Sequence, residues 1–430
     1  MRRLTTLVIV TALLAVAPRA YALPEFSRKT GMACSACHDT WPRLNDFGEL
    51  FRDRGYRTGA ADDDGWGHLA TYFPISFRAF VGYQYMSTTH QPTDTGDTDV
   101  NTGGFVHPAA DIYFGAALSR HFSVYVDIAG FSNDGIASVE STWVRVNDLG
   151  THWLNIKIGR LELDLPFSMH RAYTIFAPFQ IYSYHPTGSS NGFNLNDNQL
   201  AVEIMGHQNG PGLRYALTVA SSGDITSAWS LNAPSIFAHV TYTKLFRSRI
   251  LPRLRVGAMS DIGWWPTAFK TLTPLGGMPQ PIAGTGHQHQ IHTHVGGDLQ
   301  LVLCDLARPI TVTAVWMYGQ EDAAFVPNGT QDARFHGGFV QVDYTPILPL
   351  TFGARYDGVY NLQQADPTQP NNSNQMDGFT GFVRYAVWLS TWGSIVAHGE
   401  VSTVETQNAA VVPTNPVRNT FVFAGFDFLL

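Results

Sequence analysis

A strict alternation of apolar and polar side chains, repeated from residue 73 to the C-terminus, limits the fold more than any other feature. Such alternation puts apolar side chains on one face of a β-strand and polar ones on the other. The pattern recurs in about sixteen short runs, which predicts an all-β fold. In the first run the predicted apolar face is Phe73, Ile75, Phe77, Ala79, Val81, Tyr83 and Tyr85, opposite Ser76, Arg78, Gly82 and Gln84.

The connections between these runs alternate between short and long. Short turns are predicted at 119–121, 206–212, 246–252, 305–308, 345–348 and 390–393, and long polar loops at 87–104, 263–290 and 361–375. This is the plan of a transmembrane antiparallel β-barrel, here of about 16 strands, which closes so that no backbone group is unpaired in lipid. A soluble sandwich is the alternative, but it has no reason to sort loops by length. An even strand count puts both chain ends on the short-turn, periplasmic side. The outward face of the last strand is then Val422, Ala424, Phe426, Phe428 and Leu430.

The first 22 residues have the pattern of a secretory signal. Arg2 and Arg3 precede an apolar run at 7–17, and small residues follow at Ala20 and Ala22. A membrane anchor is the alternative, but the run is shorter than the roughly 20 apolar residues that a spanning helix needs. Export combined with a barrel predicts the outer membrane of a Gram-negative cell, with membrane lipid around the barrel. The net charge of −7 excludes a strongly basic, nucleic-acid-binding class of protein.

A C-x-x-C-H motif follows the signal, at Cys34-Ser35-Ala36-Cys37-His38. This spacing is the attachment signature of a c-type haem. The thiols of Cys34 and Cys37 would bond the two vinyl carbons of one porphyrin, and His38 would be the proximal iron ligand. A disulfide or half of a zinc site is the alternative. A zinc site would need further Cys or His nearby, and none precedes His68.

A short amphipathic helix is predicted directly after the motif. Leu44, Phe47, Leu50 and Phe51 recur at steps of three and four, and Gly55 stands where the helix would end. We therefore divide the chain into a signal peptide (1–22), a mono-haem cytochrome c segment (23–60), a linker (61–72) and the barrel (73–430). The haem segment is below the roughly 40 residues at which a domain usually supports itself. We expect it to plug the barrel lumen or to lie at its periplasmic end.

The region 26–56 resembles a known family, the fused cytochrome–porin proteins, which are outer-membrane iron-oxidising c-type cytochromes. Over the barrel the resemblance is architectural only. Ser27, Lys29 and Glu49 depart from the family pattern, which has Ala, Gln and Arg there. The matching residues are Phe26, Thr30, Gly31, Cys34, Cys37, His38, Pro42, Leu44, Phe47, Gly48, Phe51, Gly55 and Tyr56.

The resemblance implies one covalent haem c ahead of a barrel, and an iron(II):cytochrome c oxidoreductase activity. Electrons would pass from extracellular Fe(II), or another donor, to a periplasmic c-type cytochrome. A protein wall around a haem is also a physical route for electrons across about 30 Å of hydrocarbon. Two alternatives remain open: a porin-like transport channel with a haem-bearing gate, and outward electron transfer to an external acceptor.

Weaker candidate sites lie in the barrel. His287, His289, His292 and His294 cluster in sequence, and alternation directs His292, His294 and Asp298 into the lumen, where they either hold a transition metal or line a wet pore. Residues 164–174 are either a constriction folded into the pore or an ordinary loop. The distal haem ligand is not fixed by sequence. Its candidates are Met32, Met86, Met205, Met259, a lumen histidine or an open position.

Overall fold

The structure is a computed structural model, and the fold is a closed β-barrel with a short N-terminal segment. The predicted signal peptide and linker lie outside the residues that it describes. It describes residues 24–40, 42–59, 74–93, 96–107, 110–132, 135–167, 172–221, 234–266, 271–272, 280–281, 289–304, 308–326, 328–347, 349–390, 392–407 and 415–430.

Three short α-helices and twenty-one strands make up the regular structure of the described residues. Two 3₁₀ turns lie at Gln180–Tyr182 and Ala323–Phe325. In chain order the elements are α1 Pro24–Thr30, α2 Cys34–Cys37, β1 His38–Thr40, β2 Arg43–Leu44, α3 Asp46–Asp53, β3 Ile75–Thr93, β4 Gly96–Val106, β5 Ala110–Ala117, β6 Phe122–Ser132, β7 Gly135–Val146, β8 Asn155–Leu161, β9 Gln199–His207, β10 Leu213–Ser221, β11 Pro234–Leu245, β12 Arg253–Pro266, β13 Thr271–Leu272, β14 Gln280–Pro281, β15 His289–Leu303, β16 Ile310–Glu321, β17 Ala333–Ile347, β18 Leu350–Gln363, β19 Met376–Ser390, β20 Gly393–Thr406 and β21 Val417–Leu429.

Antiparallel pairing closes the barrel between β3 and β21. β4 and β5 pair with successive stretches of β3, 82–93 and 75–79, so they count as one interrupted strand. With that pair counted once, the 17 segments of the ring give 16 strands. Phe77 and Leu430 exchange two backbone hydrogen bonds of 2.8 Å, which places both ends of the barrel sequence at its short-turn end. The predicted barrel, strand number and position of the ends are confirmed.

Side-chain orientation follows the alternation in the sequence. In β11, Phe237 and His239 are buried in the lumen, whereas Ile236 and Val240 are exposed on the outside. The predicted outward faces of β3 and β21 are confirmed for the described residues, with the exception of Ala79, which is buried, and Phe73 lies outside the described residues. Apolar side chains thus cover the outside of the barrel, as a lipid-facing surface requires.

The predicted loop at 87–104 is wrong. Its described residues continue β3 to Thr93 and form most of β4, so the hairpin extends past the apolar part of the barrel wall. Most β4 residues are exposed. Alternation fails as a signal there because a strand with water on both faces has no apolar side to mark. The predicted loop at 361–375 is confirmed from residue 364 onward, and most of 263–290 lies outside the described residues.

The lumen is occupied by a long connection between β8 and β9, residues 162–198, which we name the lumen loop. Within the described residues it packs eleven buried apolar side chains against eight from the barrel wall. Phe179 lies 4.6 Å from Phe339, and Tyr173 lies 5.2 Å from Phe382, between ring centroids. Glu400 holds the loop, since its carboxylate accepts the backbone N–H of Ile175, at 2.7 Å. The described residues of the predicted constriction, 164–167 and 172–174, therefore lie in the lumen, and the buried packing continues beyond them as far as Leu195.

The N-terminal segment, residues 24–59, contacts lumen-facing side chains at the short-turn end. Phe26, Phe51 and Tyr56 form a buried aromatic cluster that packs on Tyr125 and Trp143 of the barrel wall. The helix α3 ends before Gly55, which has a φ of 72°, as the sequence predicts. Within the described residues, none of the helices is long and apolar enough to cross a membrane.

Candidate cofactor site

The C-x-x-C-H motif spans α2 and the first residue of β1. The backbone of Cys34 lies in α2, and its side chain is outside what the structure describes. His38 pairs with Leu44 across the small β1–β2 hairpin, which turns the chain back toward α3. Asn45 caps α3, because its side-chain oxygen accepts the N–H of Gly48 at 2.9 Å. The β1–β2 hairpin and the Asn45 cap together hold α3 against the motif.

Among the described residues, only the Nδ1 atom of the His38 imidazole has hydrogen-bond partners. Its Nδ1 lies 3.2 Å from the carbonyl oxygens of both Pro42 and Arg43. Such bonds put the ring proton on Nδ1 and leave the lone pair on Nε2, as in metal-ligating histidines. Burial lowers the pKa of His38 to about 4, so the ring is neutral near pH 7. Burial also raises the pKa of the Cys37 thiol to about 11.

Cys37 and His38 face a cavity of about 260 Å³ inside the barrel, which we name the motif cavity. This volume is just below the roughly 300–1,000 Å³ of common ligand pockets. Its apolar and aromatic lining is Phe26, Leu44, Phe51, Tyr56, Tyr113, Tyr125, Trp143, Leu163 and Met205, and its basic lining is Arg52, Arg78, Arg145, Lys157 and Arg214.

The residues of the motif cavity fit a c-type haem. The aromatic lining matches a porphyrin face. The cavity also has an acidic lining, Asp127, Glu162 and Asp164, and Arg145 is the basic lining residue that pairs with no carboxylate among the described residues, so it matches a propionate. Nε2 of His38 has no hydrogen-bond partner among the described residues, and Cys37 lines the same cavity.

The predicted helix face is only partly right. Leu44 lies in β2, before α3 begins at Asp46, so the predicted helix starts later than expected. Leu44 and Phe51 line the cavity, but Phe47 is 37% exposed because it lies off the buried face that Gly48 and Phe51 share.

Ion pairs join the N-terminal segment to the barrel wall. Arg43 contacts Asp343 at 2.5 Å, and Asp53 contacts Arg214 at 2.9 Å. Arg253 contacts Asp46 at 3.1 Å. Burial alone would raise the pKa of Asp53, but the neighbouring Arg214 and Arg52 guanidiniums lower it to about 2. The carboxylate is therefore ionised, and this contact persists across the neutral range.

The predicted lumen residues His292, His294 and Asp298 are all buried inside the barrel, but they do not come together. His292 and His294 contact Asp261 instead, at 3.1 and 3.2 Å. Asp298 contacts His239 at 2.9 Å. In the described part of the chain, no group of three or more His, Cys, Asp or Glu is arranged to hold a metal ion. His287 and the His289 side chain lie outside the described residues.

Of the four methionines named as candidate distal ligands, Met205 lines the motif cavity. Met86 is 43% exposed, and Met259 is buried in the core of the lumen loop. Sequence reasoning missed the basic cavity residues Arg145 and Arg214. The available signal was their place in the alternation, because each is a polar residue that a barrel strand turns inward.

Comparisons with solved structures identify the fold. An anion-selective porin from Comamonas acidovorans aligns with a TM-score of 0.51 and 8% identity, over 83% of this chain and 99% of that chain. OprB of Pseudomonas putida aligns with a TM-score of 0.50 and 11% identity, over 82% of this chain and 94% of that chain. No family model and no curated protein matches the sequence. The chain thus has the porin-like barrel fold of outer-membrane proteins.

Proposed function

We propose that this chain is an outer-membrane electron-transfer protein with one covalent haem in the motif cavity. It would take electrons from an extracellular donor such as Fe(II) and deliver them to a periplasmic c-type cytochrome. The observation that carries the proposal is the His38 imidazole, in which Nδ1 is bound to backbone carbonyls and Nε2 has no hydrogen-bond partner among the described residues, on a cavity that Cys37 also lines. Haem, when bound, supplies an iron that changes between two oxidation states.

The residues of the chain would hold this group in separate ways. Cys34 and Cys37 would attach the porphyrin, and the Pro42 and Arg43 carbonyls orient the His38 ring. Arg145, which pairs with no carboxylate among the described residues, would pair with a propionate, whereas Arg78 and Arg214 already contact Asp427 and Asp53. The contacts of the N-terminal segment with the barrel wall support its role as a lumen plug, since the barrel supplies the core that so short a segment lacks.

The lumen loop favours electron transfer over solute transport. Water-filled porins have a polar interior, whereas eleven side chains of the described lumen loop and eight of the wall form a buried apolar cluster beside the polar lumen residues. Close-packed apolar side chains leave few voids large enough for water. A solute could cross the lumen only by displacing these side chains, whereas electron transfer requires no such displacement.

A solute channel is the second candidate function, and the porin-like fold favours it. In that case the N-terminal segment would act as a gate. Liposomes that contain the purified protein distinguish the two: solute flux supports the channel, and its absence supports the conduit.

The proposal is tested by producing the mature protein with the c-type haem maturation machinery. Absorbance, intact mass and stopped-flow reduction by Fe(II) are then measured for wild type, Cys37→Ser and His38→Ala. We expect one thioether-linked haem in wild type, a single-bond attachment in Cys37→Ser and altered iron ligation in His38→Ala. A wild-type protein that carries no covalent haem would overturn the proposal.

A further inference from the structure

The short-turn end of the barrel carries exposed positive charge. Arg120 lies in the β5–β6 turn, Arg247 and Arg249 lie in the β11–β12 turn, and Arg308 precedes β16; all four are exposed. Within the part of the chain that the structure describes, none of the four forms an ion pair. The chain as a whole has a net charge of −7, so the positive charge of this end is opposite in sign to the net charge of the protein.

A cleft of about 470 Å³ opens at the same end, between the N-terminal segment and three turns, β5–β6, β7–β8 and β9–β10. Its charged lining is three arginines, Arg54, Arg57 and Arg120, and one carboxylate, Asp148. Asp148 is already paired with Arg57 at 2.6 Å. His121 and His152 also line the cleft. The cleft therefore presents a net positive surface.

The described residues of the opposite end carry charges of both signs. Asp97 and Asp99 are exposed near the tip of the β3–β4 hairpin, and Asp322 and Asp332 flank the connection between β16 and β17. Arg334 and Arg418 are exposed at the same end. In porin-like barrels the long loops face outward and the short turns face the periplasm. Among the described residues, the exposed excess of positive charge thus lies at the short-turn, periplasmic end.

We propose that the basic rim, formed by Arg54, Arg120, Arg247, Arg249 and Arg308, is the docking surface for the acidic face of a soluble periplasmic electron-transfer protein. The inference rests on the proposed function. Arg54 directly follows α3, the helix that packs on the motif, so a partner at the rim sits beside the haem segment. Complementary charge steers association and raises its rate by about 10- to 1,000-fold at low salt.

Kinetics with two soluble redox proteins of opposite charge test the proposal. The reduced holoprotein in detergent is mixed with plastocyanin, which is acidic, or with mitochondrial cytochrome c, which is basic. With plastocyanin we expect a rate constant that falls at least about tenfold from low to high ionic strength. With cytochrome c we expect a slower reaction at low salt that does not fall as salt rises.

Charge reversal locates the surface. Changing Arg120, Arg247, Arg249 and Arg308 to Glu should lower the low-salt rate with plastocyanin about tenfold or more, and should raise the rate with cytochrome c. The matched control is Arg334→Glu, because Arg334 is exposed at the long-loop end. It should leave both rates unchanged. Equal losses in the rim variant and the control would overturn the assignment.

A binding experiment tests the docking surface independently of the proposed function. Zinc-substituted plastocyanin, which is redox-inert, is titrated against the mature protein with and without haem. Salt-sensitive binding that the rim variant loses supports the docking surface, even if no haem is attached. A haem that Fe(II) reduces, in a protein that does not bind zinc plastocyanin or binds inorganic phosphate alone at the rim, would overturn the docking surface and leave the proposed function intact.

Discussion

The backbone amide of Asn45 donates a hydrogen bond to the carbonyl oxygen of Cys37 at 2.9 Å. The side chain of the same residue donates to the Ala36 carbonyl at 3.1 Å and accepts the N–H of Gly48. One residue therefore caps α3 and ties the helix to the motif. The contact of the N-terminal segment with the barrel wall depends largely on this helix, because Asp46, Glu49 and Asp53 of α3 pair with arginines of the wall.

Two replacements of Asn45 separate the contributions of its two side-chain hydrogen bonds to the stability of α3. Asn45→Ala removes both side-chain bonds and should destabilise α3 by about 0.5–2 kcal/mol. Asn45→Asp keeps the cap and loses only the bond to Ala36, so its effect should be smaller. Hydrogen exchange over residues 46–53 measures both. Equal protection in the two variants would show that the cap does not hold the helix.

Gly48 lies where α3 packs directly against the backbone of the motif. A Cβ at this position would overlap the carbonyl oxygen of Cys37. We expect Gly48→Ala to cost about 1–3 kcal/mol through overpacking and to lower the fraction of protein that carries haem. Gly381→Ala is the matched control, because a Cβ there meets no heavy atom within 4 Å. Thermal unfolding and the ratio of haem to protein are measured for both. A Gly48→Ala protein that matches the control would contradict the packing.

Glu25 should make the seating of the N-terminal segment depend on pH. Burial raises the pKa of Glu25 from its ordinary 4.5 to about 7, and its carboxyl contacts the Ser76 hydroxyl. Because the seated state favours the protonated acid, the stabilisation is complete below pH 4.5, falls as pH rises toward 7, and stays low above it. The change is at most about 3 kcal/mol, at 1.36 kcal/mol per pKa unit.

Protease cleavage within residues 24–59 measures this effect. Cleavage should be slower at pH 5 than at pH 8 in wild type. Glu25→Gln keeps the shape of the side chain and removes the titration, so its cleavage rate should not change over this range once the protease's own pH dependence is corrected. A wild-type rate that is equally flat would contradict the assignment.

Glu400 should keep the lumen closed. Its carboxylate accepts backbone N–H groups from three successive residues of the lumen loop, Ile175, Phe176 and Ala177, at 2.7, 3.3 and 3.0 Å. Glu400→Ala leaves those donors unsatisfied, so we expect the loop to detach and ion conductance in planar bilayers to rise. Glu405→Ala, on the same strand, is the control, because Glu405 pairs with Arg418 rather than with the loop. Equal conductance in the two variants would contradict this role.

The sequence predicts the barrel wall well because lipid on one side and packed side chains on the other impose a period of two. Alternation predicts His292 and His294 inside, and both are buried, whereas Ile291 and Val295 beside them are exposed on the outside. The same rule fails for residues 96–106, which have water on both faces. It also fails for the lumen loop, since an irregular segment buried on all sides has no period to detect.

Prediction of the candidate sites from sequence is limited in a similar way. Cys37, His38 and the helix after them are predictable because their spacing is local. The partner of His292 and His294 is Asp261, which is more than thirty residues away in sequence. Only strand register brings β12 beside β15, where Asp261 pairs with His294. Alternation gives the face of a strand but not its register, so Asp298 was grouped with the wrong histidines.

Electron transfer across a sealed vesicle is the most direct test of the proposed electron conduit. The mature holoprotein is inserted in liposomes that contain oxidised plastocyanin and a small marker sugar, and Fe(II) is added outside. We expect the enclosed plastocyanin to be reduced while the sugar stays inside, and we expect Cys34→Ser/Cys37→Ser vesicles to show neither reduction nor leakage. Escape of the sugar at the rate of an open porin, or no reduction by the haem-loaded protein, would contradict the proposed conduit.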